Sequence, residues 1–247
     1  MHNVDFVASA GEVTMIVGPN GSGKTTQMRA LTGDLPFQGQ ISLTGSALQS
    51  LSPAVLAGRR AVLAQDNALA FPFTVSEVVG MGALSSATPP IDRHDRATRI
   101  TEALAKVDLA GFAGRYTQQL SGGERQRVHL ARILCQIWEP VGKDGPRWLL
   151  LDEPVSSLDI SHQLTIMEIA RDYARRGGGV IAVMHDLNLT TMYSDRVIVL
   201  ASGAVTASGP PAIVLNDELL SRVYGCSLRV GVAPTSGHFV LPQSAMA

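Results

Sequence analysis

The sequence is organised around one stretch, Gly18-Pro19-Asn20-Gly21-Ser22-Gly23-Lys24-Thr25. It fits the phosphate-binding pattern G-x-x-x-x-G-K-[ST] at every fixed position. Glycine at three of its positions permits a tight turn in which backbone amides point inward at a phosphate chain. Lys24 would bring a positive charge to the outer phosphates, and Thr25 would offer a hydroxyl ligand to Mg²⁺. The stretch therefore predicts a nucleotide-binding site.

The sequence on either side of this stretch predicts the strand and the helix that such a loop joins. Residues 13–17 read as a buried strand. Residues 25–31, which include Thr26, read as a helix whose positive N-terminal end faces the anion. A chance glycine-rich turn is the alternative, and the strand–loop–helix setting argues against it.

Length and composition narrow the class of protein. The 247 residues suffice for one large α/β domain with a substantial core. No apolar run approaches the ~20 residues that span a bilayer, and no secretory signal is visible at the start. A net charge of −1 and a pI near 6.6 argue against a polyanion-binding surface. We therefore expect no nucleic-acid partner.

The cysteines and histidines predict neither a disulfide framework nor a structural metal site. Cys135 and Cys226 stand far apart and without CxxC spacing, which fits a reducing cytoplasm. The six histidines show no ligand spacing with cysteines or carboxylates.

The order of the predicted elements indicates one α/β domain that is interrupted by helices. Residues 148–151 and 180–184 read as buried parallel strands, whereas residues 74–133 read as mostly helical, with a short helix at residues 75–81 and a loop at residues 82–91. Residues 4–7 read as the end of a strand, and residues 139–146 as a surface loop. We expect an α/β core formed by residues 1–65 and 137–247, with about residues 66–136 as a helical subdomain.

Two carboxylates follow the apolar strand at residues 148–151. Ligands sit at the carboxyl edge of α/β sheets, where Asp152 and Glu153 would arrive. Asp152 can hold Mg²⁺ through its water shell, and Glu153 can polarise the attacking water. A solvated strand end would explain this pair alone, but hydrolysis needs a metal ligand and a base beside a bound γ-phosphate.

A second candidate anion site lies at Leu120-Ser121-Gly122-Gly123-Glu124-Arg125-Gln126. A serine followed by two glycines at a helix N-terminus offers free amides and the positive end of the helix dipole. A general helix cap would explain Ser121 but not the pair Gly122 and Gly123.

With these stretches together, the chain resembles the ATP-binding-cassette (ABC) ATPases, whose family signature is of this LSGGE type. The resemblance covers nearly the whole chain and implies a P-loop NTPase fold with a RecA-like core sheet and an α-helical subdomain. Residues 18–25 match the Walker A motif and residues 149–154 match Walker B. Gln65 matches the Q-loop, residues 156–159 match the D-loop and His185 matches the switch histidine.

The resemblance implies ATP and Mg²⁺ as ligands and a second copy of the chain as partner. The two copies would pair head to tail, so that Ser121 and Gly123 of one close over the γ-phosphate held by Lys24 of the other. His185 would hold the γ-phosphate and the attacking water, and Gln65 would sense Mg²⁺ and that water. Asp159 would act across the interface. Glu124 and Gln126 are expected to serve the dimer or the helix cap rather than the chemistry.

Within the family, several stretches are similar to the ATPase subunits of bacterial haem importers, among them residues 63–65, 70–79 and 240–243. This implies transmembrane permease subunits, a periplasmic substrate-binding protein reached through them, and a peripheral position on the cytoplasmic face of the inner membrane. Residues 71–73 are expected either to line the groove that receives a permease helix or to belong to the subdomain core. The alternatives are an importer of iron-siderophores or cobalamin and a non-transport cassette protein, although one cassette without a basic patch argues against the latter.

The N-terminal region departs from the family pattern. Cassette ATPases have a first strand and an aromatic residue before Walker A that stacks on adenine, but only 17 residues precede Gly18. Phe6 stands where a core strand residue belongs. We expect the strand and the aromatic loop to be missing, so either the start codon is placed too late or ATP is bound mainly through its phosphates, with weak affinity. A folded but inactive subunit is a further alternative.

Overall fold

The computed structural model describes residues 1–64, 71–85 and 92–245. Its strands are β1 (Val13–Val17), β2 (Ser42–Leu43), β3 (Ser46–Ala47), β4 (Arg60–Leu63), β5 (Val141–Gly142), β6 (Gly145–Pro146), β7 (Trp148–Asp152), β8 (Gly179–Val183), β9 (Arg196–Ala201) and β10 (Ala204–Gly209). Its α-helices are α1 (Lys24–Leu31), α2 (Pro53–Arg59), α3 (Val75–Ser85), α4 (Arg93–Lys106), α5 (Gly122–Gln136), α6 (Ile160–Arg175), α7 (Leu187–Tyr193), α8 (Pro211–Val214) and α9 (Asp217–Tyr224).

A six-stranded sheet forms the centre, in the order β10-β9-β1-β8-β7-β4. All neighbouring pairs are parallel except β9 and β10, which form an antiparallel pair at one edge. Every residue of β1, β7 and β8 is buried, as expected for strands that are covered on both faces. The predicted α/β fold class is therefore confirmed.

Apolar side chains cover the sheet in two clusters. The larger one joins one face of the sheet to α3, α4 and α5, and it includes Val79, Leu104, Leu130 and Leu149. The smaller one lies on the other face and includes Met28 from α1 and Trp148 from β7. The three helices therefore share a continuous hydrophobic core with the sheet, and this core fixes their position beside it.

Helix starts follow the capping chemistry of the sequence, while three local expectations were wrong. Ser52, Asp92 and Asn216 each accept a backbone N–H three residues on. Residues 4–7 form no strand, and residues 139–146 contain the small hairpin β5–β6 rather than a plain loop. Helix α3 also runs to residue 85, because its alanine and leucine at residues 83 and 84 continue the helical pattern beyond residue 81.

Helix α3 lies so close to α5 that one glycine is required between them. A Cβ added at Gly82 would lie 1.9 Å from the backbone carbonyl oxygen of Arg132. We expect Gly82→Ala to lower the free energy of unfolding by about 1–3 kcal/mol, since the backbones must separate. Thermal melting would measure this loss.

Gly80 on the same helix is the matched control. There an added Cβ meets only Ile100 Cδ1, the end of a flexible side chain, at 3.3 Å. Gly80→Ala should be neutral, or stabilising by up to about 1 kcal/mol through its helix propensity. Equal melting temperatures for the two variants would contradict the close approach of α3 to α5.

Candidate active site

Three adjacent strands deliver the candidate residues to one edge of the sheet. Val183 at the end of β8 is paired with Ile16 of β1 on one side and with Asp152 of β7 on the other. This register brings Gly18, Asp152 and His185 to the same edge. It is the carboxyl edge, at which ligands bind in sheets of this kind.

The phosphate loop follows β1 and depends on the absence of side chains. A Cβ added at Gly18 would lie 2.0 Å from the carbonyl oxygen of Leu200 in β9, so only glycine fits there. Gly23 is left-handed, with φ 103°, and is the N-cap of α1. Ser22 is buried; its amide donates to the Pro19 carbonyl at 3.2 Å, and its own carbonyl accepts from Gly203 at 3.1 Å. The loop is thus anchored to the sheet before any ligand arrives.

Lys24 folds back over this loop. Its Nζ donates to the Gly18 carbonyl at 2.9 Å and to the Pro19 carbonyl at 3.0 Å. Burial lowers the pKa of Lys24, and the nearby carboxylates of Glu153 and Asp152 oppose that shift. The ammonium is therefore held where a phosphate chain would lie, and phosphate oxygens could replace the two carbonyls. Thr25 and Thr26 are exposed in the first turn of α1.

Asp152 is suited to a cation. Its side chain is only 5% exposed, and its Oδ1 atom is buried without a hydrogen-bond partner. Burial raises the pKa of Asp152, and Glu153 adds to the shift, whereas His185 and Lys24 oppose it. The unpartnered carboxylate oxygen of Asp152 and the exposed hydroxyl of Thr25 are both oxygen ligands of the kind that Mg²⁺ prefers. Asp152 and Thr25 could thus hold the metal.

Glu153 has an unusual backbone conformation and a direct contact with His185. Its φ is 50°, which is rare for a residue other than glycine. The Nε2 atom of His185 lies 2.7 Å from Glu153 Oε1, so the two side chains share a hydrogen bond. The Glu153 carboxylate is largely buried, whereas the histidine ring is 43% exposed and reaches solvent. The pair can orient a water molecule at the open side of the site.

Gln126 contributes a contact that the sequence did not predict. Its Nε2 donates to the Glu153 carbonyl at 3.1 Å, so the expectation that Gln126 serves the dimer or the helix cap misses this link. The sequence does hold one signal: Gln126 follows Gly123 by three residues and so shares its helix face. Glu124, in contrast, caps the helix as expected.

The second candidate anion site has the form of a capped helix start. Ser121 accepts the Glu124 amide at 3.3 Å, and the Glu124 carboxylate accepts the Ser121 amide at 2.7 Å. Gly122 and Ser121 are exposed. A Cβ added at Gly123 would come within 2.9 Å of Leu158 Cδ2, which shows that α5 begins directly against residues 156–159.

Asp159 caps α6 within its own chain. It accepts the His162 amide at 3.0 Å, and its carboxylate oxygens lie 2.8 and 2.9 Å from His162 Nδ1. The backbone hydrogen bond from His162, followed by the one from its side chain, lowers the pKa of Asp159. Its action across an interface remains a prediction. Gln65, predicted to sense the metal and the water, lies outside the described residues.

A family model and several relatives match this chain. The family model described as ABC transporter matches residues 1–156. The chain belongs to the ABC transporter family. This cassette is 57% identical over 245 residues to the hemin import ATP-binding protein HmuV of Mesorhizobium japonicum, covering 98% of the chain and 92% of that protein. The HmuV protein of Jannaschia sp. is 56% identical over 248 residues, with 99% and 89% covered. The resemblance to haem-importer ATPases is confirmed.

Solved structures agree on the fold. The dimeric structure of MJ0796, a bacterial ABC transporter cassette, has a TM-score of 0.74 and 27% identity, covering 85% of this chain and 89% of that one. A second dimeric structure of MJ0796, in a post-hydrolysis state bound to ADP and phosphate, matches equally well. The P-loop NTPase fold is therefore confirmed, and cassettes of this family form dimers.

Within the residues that the structure describes, no helix is long and apolar enough to cross a membrane.

The burial of Asp152 predicts a conflict between stability and function. Because its native pKa is raised, the native state loses stability as pH rises from the unfolded-state pKa through the native one. The penalty grows as pH rises, so Asp152→Asn should melt at a higher temperature than wild type at pH 7.5 when no ligand is bound. About 2–4 °C is expected per kcal/mol in a chain of this size.

The same variant should lose the stabilisation that MgATP gives to the wild-type chain, because the metal ligand is gone. Thermal melts at pH 5 and pH 7.5, with and without MgATP, would measure both effects. The melting difference between variant and wild type should shrink toward pH 5. A variant that melts below wild type at pH 7.5, or that keeps the full MgATP shift, would contradict the assignment.

Proposed function

We propose that this chain is the ATP-hydrolysing subunit of an importer that carries haem across the inner membrane. One observation carries the proposal: hemin import ATP-binding proteins are more than 50% identical to this chain over nearly its whole length. Such a subunit binds at the cytoplasmic face of the membrane, against transmembrane permease subunits. The haem reaches the permease from a periplasmic substrate-binding protein.

Nucleotide binding would use the loop at residues 18–25 as it stands. Backbone amides and the dipole of α1 receive the phosphates, and Lys24 exchanges its two carbonyl partners for phosphate oxygens. Thr25, Asp152 and Gln65 would hold Mg²⁺. When bound, the metal neutralises charge on the β- and γ-phosphates.

Hydrolysis would use Glu153 as the general base. Its carboxylate takes a proton from water as the water oxygen attacks the γ-phosphorus, while the bond to the leaving ADP oxygen breaks. His185 fixes the orientation of this carboxylate through their 2.7 Å contact, and its exposed ring can reach the γ-phosphate. The largely buried position of the carboxylate keeps bulk water away from it.

A second copy of the chain would complete each site. The N-terminus of α5, where Ser121 and Gly122 are exposed and Gly123 is half-buried, would receive the γ-phosphate bound by the partner. Asp159 lies at the same surface and acts across it. The dimers formed by MJ0796 support this arrangement.

The permease would dock in a groove between the sheet and the helical subdomain. This groove has a volume of about 540 Å³ and is lined by Arg60 of β4, Gly82 of α3 and Arg132 of α5, among others. Phe73 packs against the core, as expected for a residue of the subdomain core. Phe71 is exposed, so it would be free to contact a permease helix. Movement of a docked permease helix would displace residues of both β4 and α5, because both line the groove.

We expect Glu153→Gln to lower the turnover of ATP by about 10²–10⁴-fold, because the amide cannot take the proton from water. ATP binding should persist, so nucleotide should hold two copies of the variant together. Phosphate release and size-exclusion chromatography would measure the two effects. Glu139→Gln is the isosteric control, because the Glu139 carboxylate pairs with Arg176 at 3.5 Å on the surface. Wild-type turnover in Glu153→Gln would contradict the proposed chemistry.

The substrate can be tested in proteoliposomes that contain the chain with its co-purified permease and binding protein. Haem, a ferric hydroxamate siderophore and cobalamin would be offered in parallel, and uptake would be measured with MgATP. We expect uptake of haem alone, lost in Glu153→Gln. Uptake of the siderophore or of cobalamin instead would replace haem by the alternative substrate class.

A further inference from the structure

One side chain joins the start of the signature helix to the backbone of the proposed base. Gln126 lies on the second turn of α5, and its Nε2 donates to the Glu153 carbonyl oxygen at 3.1 Å. The two residues are 27 positions apart, so this contact is tertiary and does not follow from helix formation.

The contact acts on a backbone that needs support. Glu153 has φ 50°, a left-handed conformation that costs roughly 1–2 kcal/mol for a residue with a side chain. Its amide donates to the Val183 carbonyl at 3.2 Å. Its carbonyl accepts from Gln126, from the Ser156 hydroxyl at 3.2 Å and from the Ser156 amide at 3.4 Å. Because φ fixes the direction of the Cα–Cβ bond, these hydrogen bonds also aim the carboxylate.

The orientation of the Gln126 amide is fixed by its partner. Only Nε2 can donate to a carbonyl, so a flipped amide would place two acceptors together. The Oε1 atom is buried and has no hydrogen-bond partner. A glutamate at this position would therefore both repel the Glu153 carbonyl and bury a charge.

The same face of α5 carries the residues expected at the γ-phosphate of the partner. Gly123 and Gln126 are three residues apart and face the turn formed by residues 153–158. Gly123 lies against Leu158, and Gln126 reaches Glu153. A shift of the α5 N-terminus would therefore alter the contact that holds Glu153.

We propose that Gln126 is a positioning residue that holds Glu153 of its own chain, and that it links the signature helix to that base. Contact of Ser121 and Gly123 with the ATP of one site would then align Glu153 for the other site of the dimer. This inference depends on the proposed catalytic role of Glu153. It differs from a role of Gln126 toward the nucleotide that its own helix contacts.

The first test compares Gln126→Met with Gln163→Met. The methionine keeps the volume of the side chain and removes the amide. Gln163 is a matched control, because its Nε2 donates from α6 to Val155 and Leu158 of the same turn and does not reach Glu153. We expect Gln126→Met to lower kcat about 10–100-fold with KM for ATP unchanged, since small misplacements of catalytic groups cost up to about that factor.

Gln163→Met should keep kcat within about twofold of wild type, and circular dichroism would verify the fold of both variants. If Gln126→Met keeps the wild-type kcat, or if both variants lose activity equally, the inference is overturned. If Glu153→Gln itself hydrolyses ATP normally, the proposed function fails instead, so the two failures are distinguishable.

The second test asks which site Gln126 serves. Heterodimers with different tags would carry Gln126→Met and Glu153→Gln either on the same chain or on opposite chains. With both changes on one chain, the remaining active Glu153 keeps its own Gln126, and activity should equal that of the Glu153→Gln/wild-type heterodimer. With the changes on opposite chains, the active Glu153 has lost its Gln126, and activity should fall about tenfold or more. The reverse pattern would show that Gln126 acts on the partner's nucleotide and would overturn the inference.

Discussion

The site depends on the pairing of Val183 with two neighbouring strands at once. Ile16 on one side and Asp152 on the other are in register with it, so three parallel strands end at the same level. A shift of one residue in either pair would move a motif along the edge and turn its side chains to the opposite face. The glycine-rich loop, the two carboxylates and the histidine come from separate parts of the sequence. Strand register is what brings them together.

The groups at this edge lie in environments that lower the stability of the fold but favour the binding of a ligand. Burial opposes the charge of both Lys24 and Asp152, and the shift of each is only partly offset by the other. Glu153 adds a left-handed backbone. Such costs persist where the surrounding structure enforces them. The cost of each buried charge falls when a ligand group of opposite charge arrives. Two contacts hold these groups in place. The Leu200 carbonyl lies against Gly18, and Gln126 donates to the Glu153 carbonyl.

Most of the fold and most of the site could be predicted from the sequence, for definite physical reasons. Buried parallel strands read as apolar runs, and phosphate loops need glycine at fixed positions, so residues 13–25 and 148–153 were identifiable. The assignment of His185 needed the resemblance to a family, because a single histidine after a strand has no pattern of its own. The small hairpin at residues 141–146 was missed because its strands have only two residues each. The link from Gln126 to Glu153 was missed because the three-residue spacing from Gly123 indicates a shared helix face but does not identify the residue that the Gln126 side chain reaches.

Each site is proposed to be shared between two copies of the chain, and complementation tests this sharing directly. Lys24→Ala removes the cation from the phosphate loop, and Ser121→Arg blocks the N-terminus of α5. Each variant alone should hydrolyse no ATP. Mixed together, they should regain activity, because one of the two sites in a mixed dimer combines an intact Lys24 with an intact Ser121. A mixture of folded variants that forms dimers and yet stays inactive would contradict the shared site, as would full activity of Ser121→Arg alone.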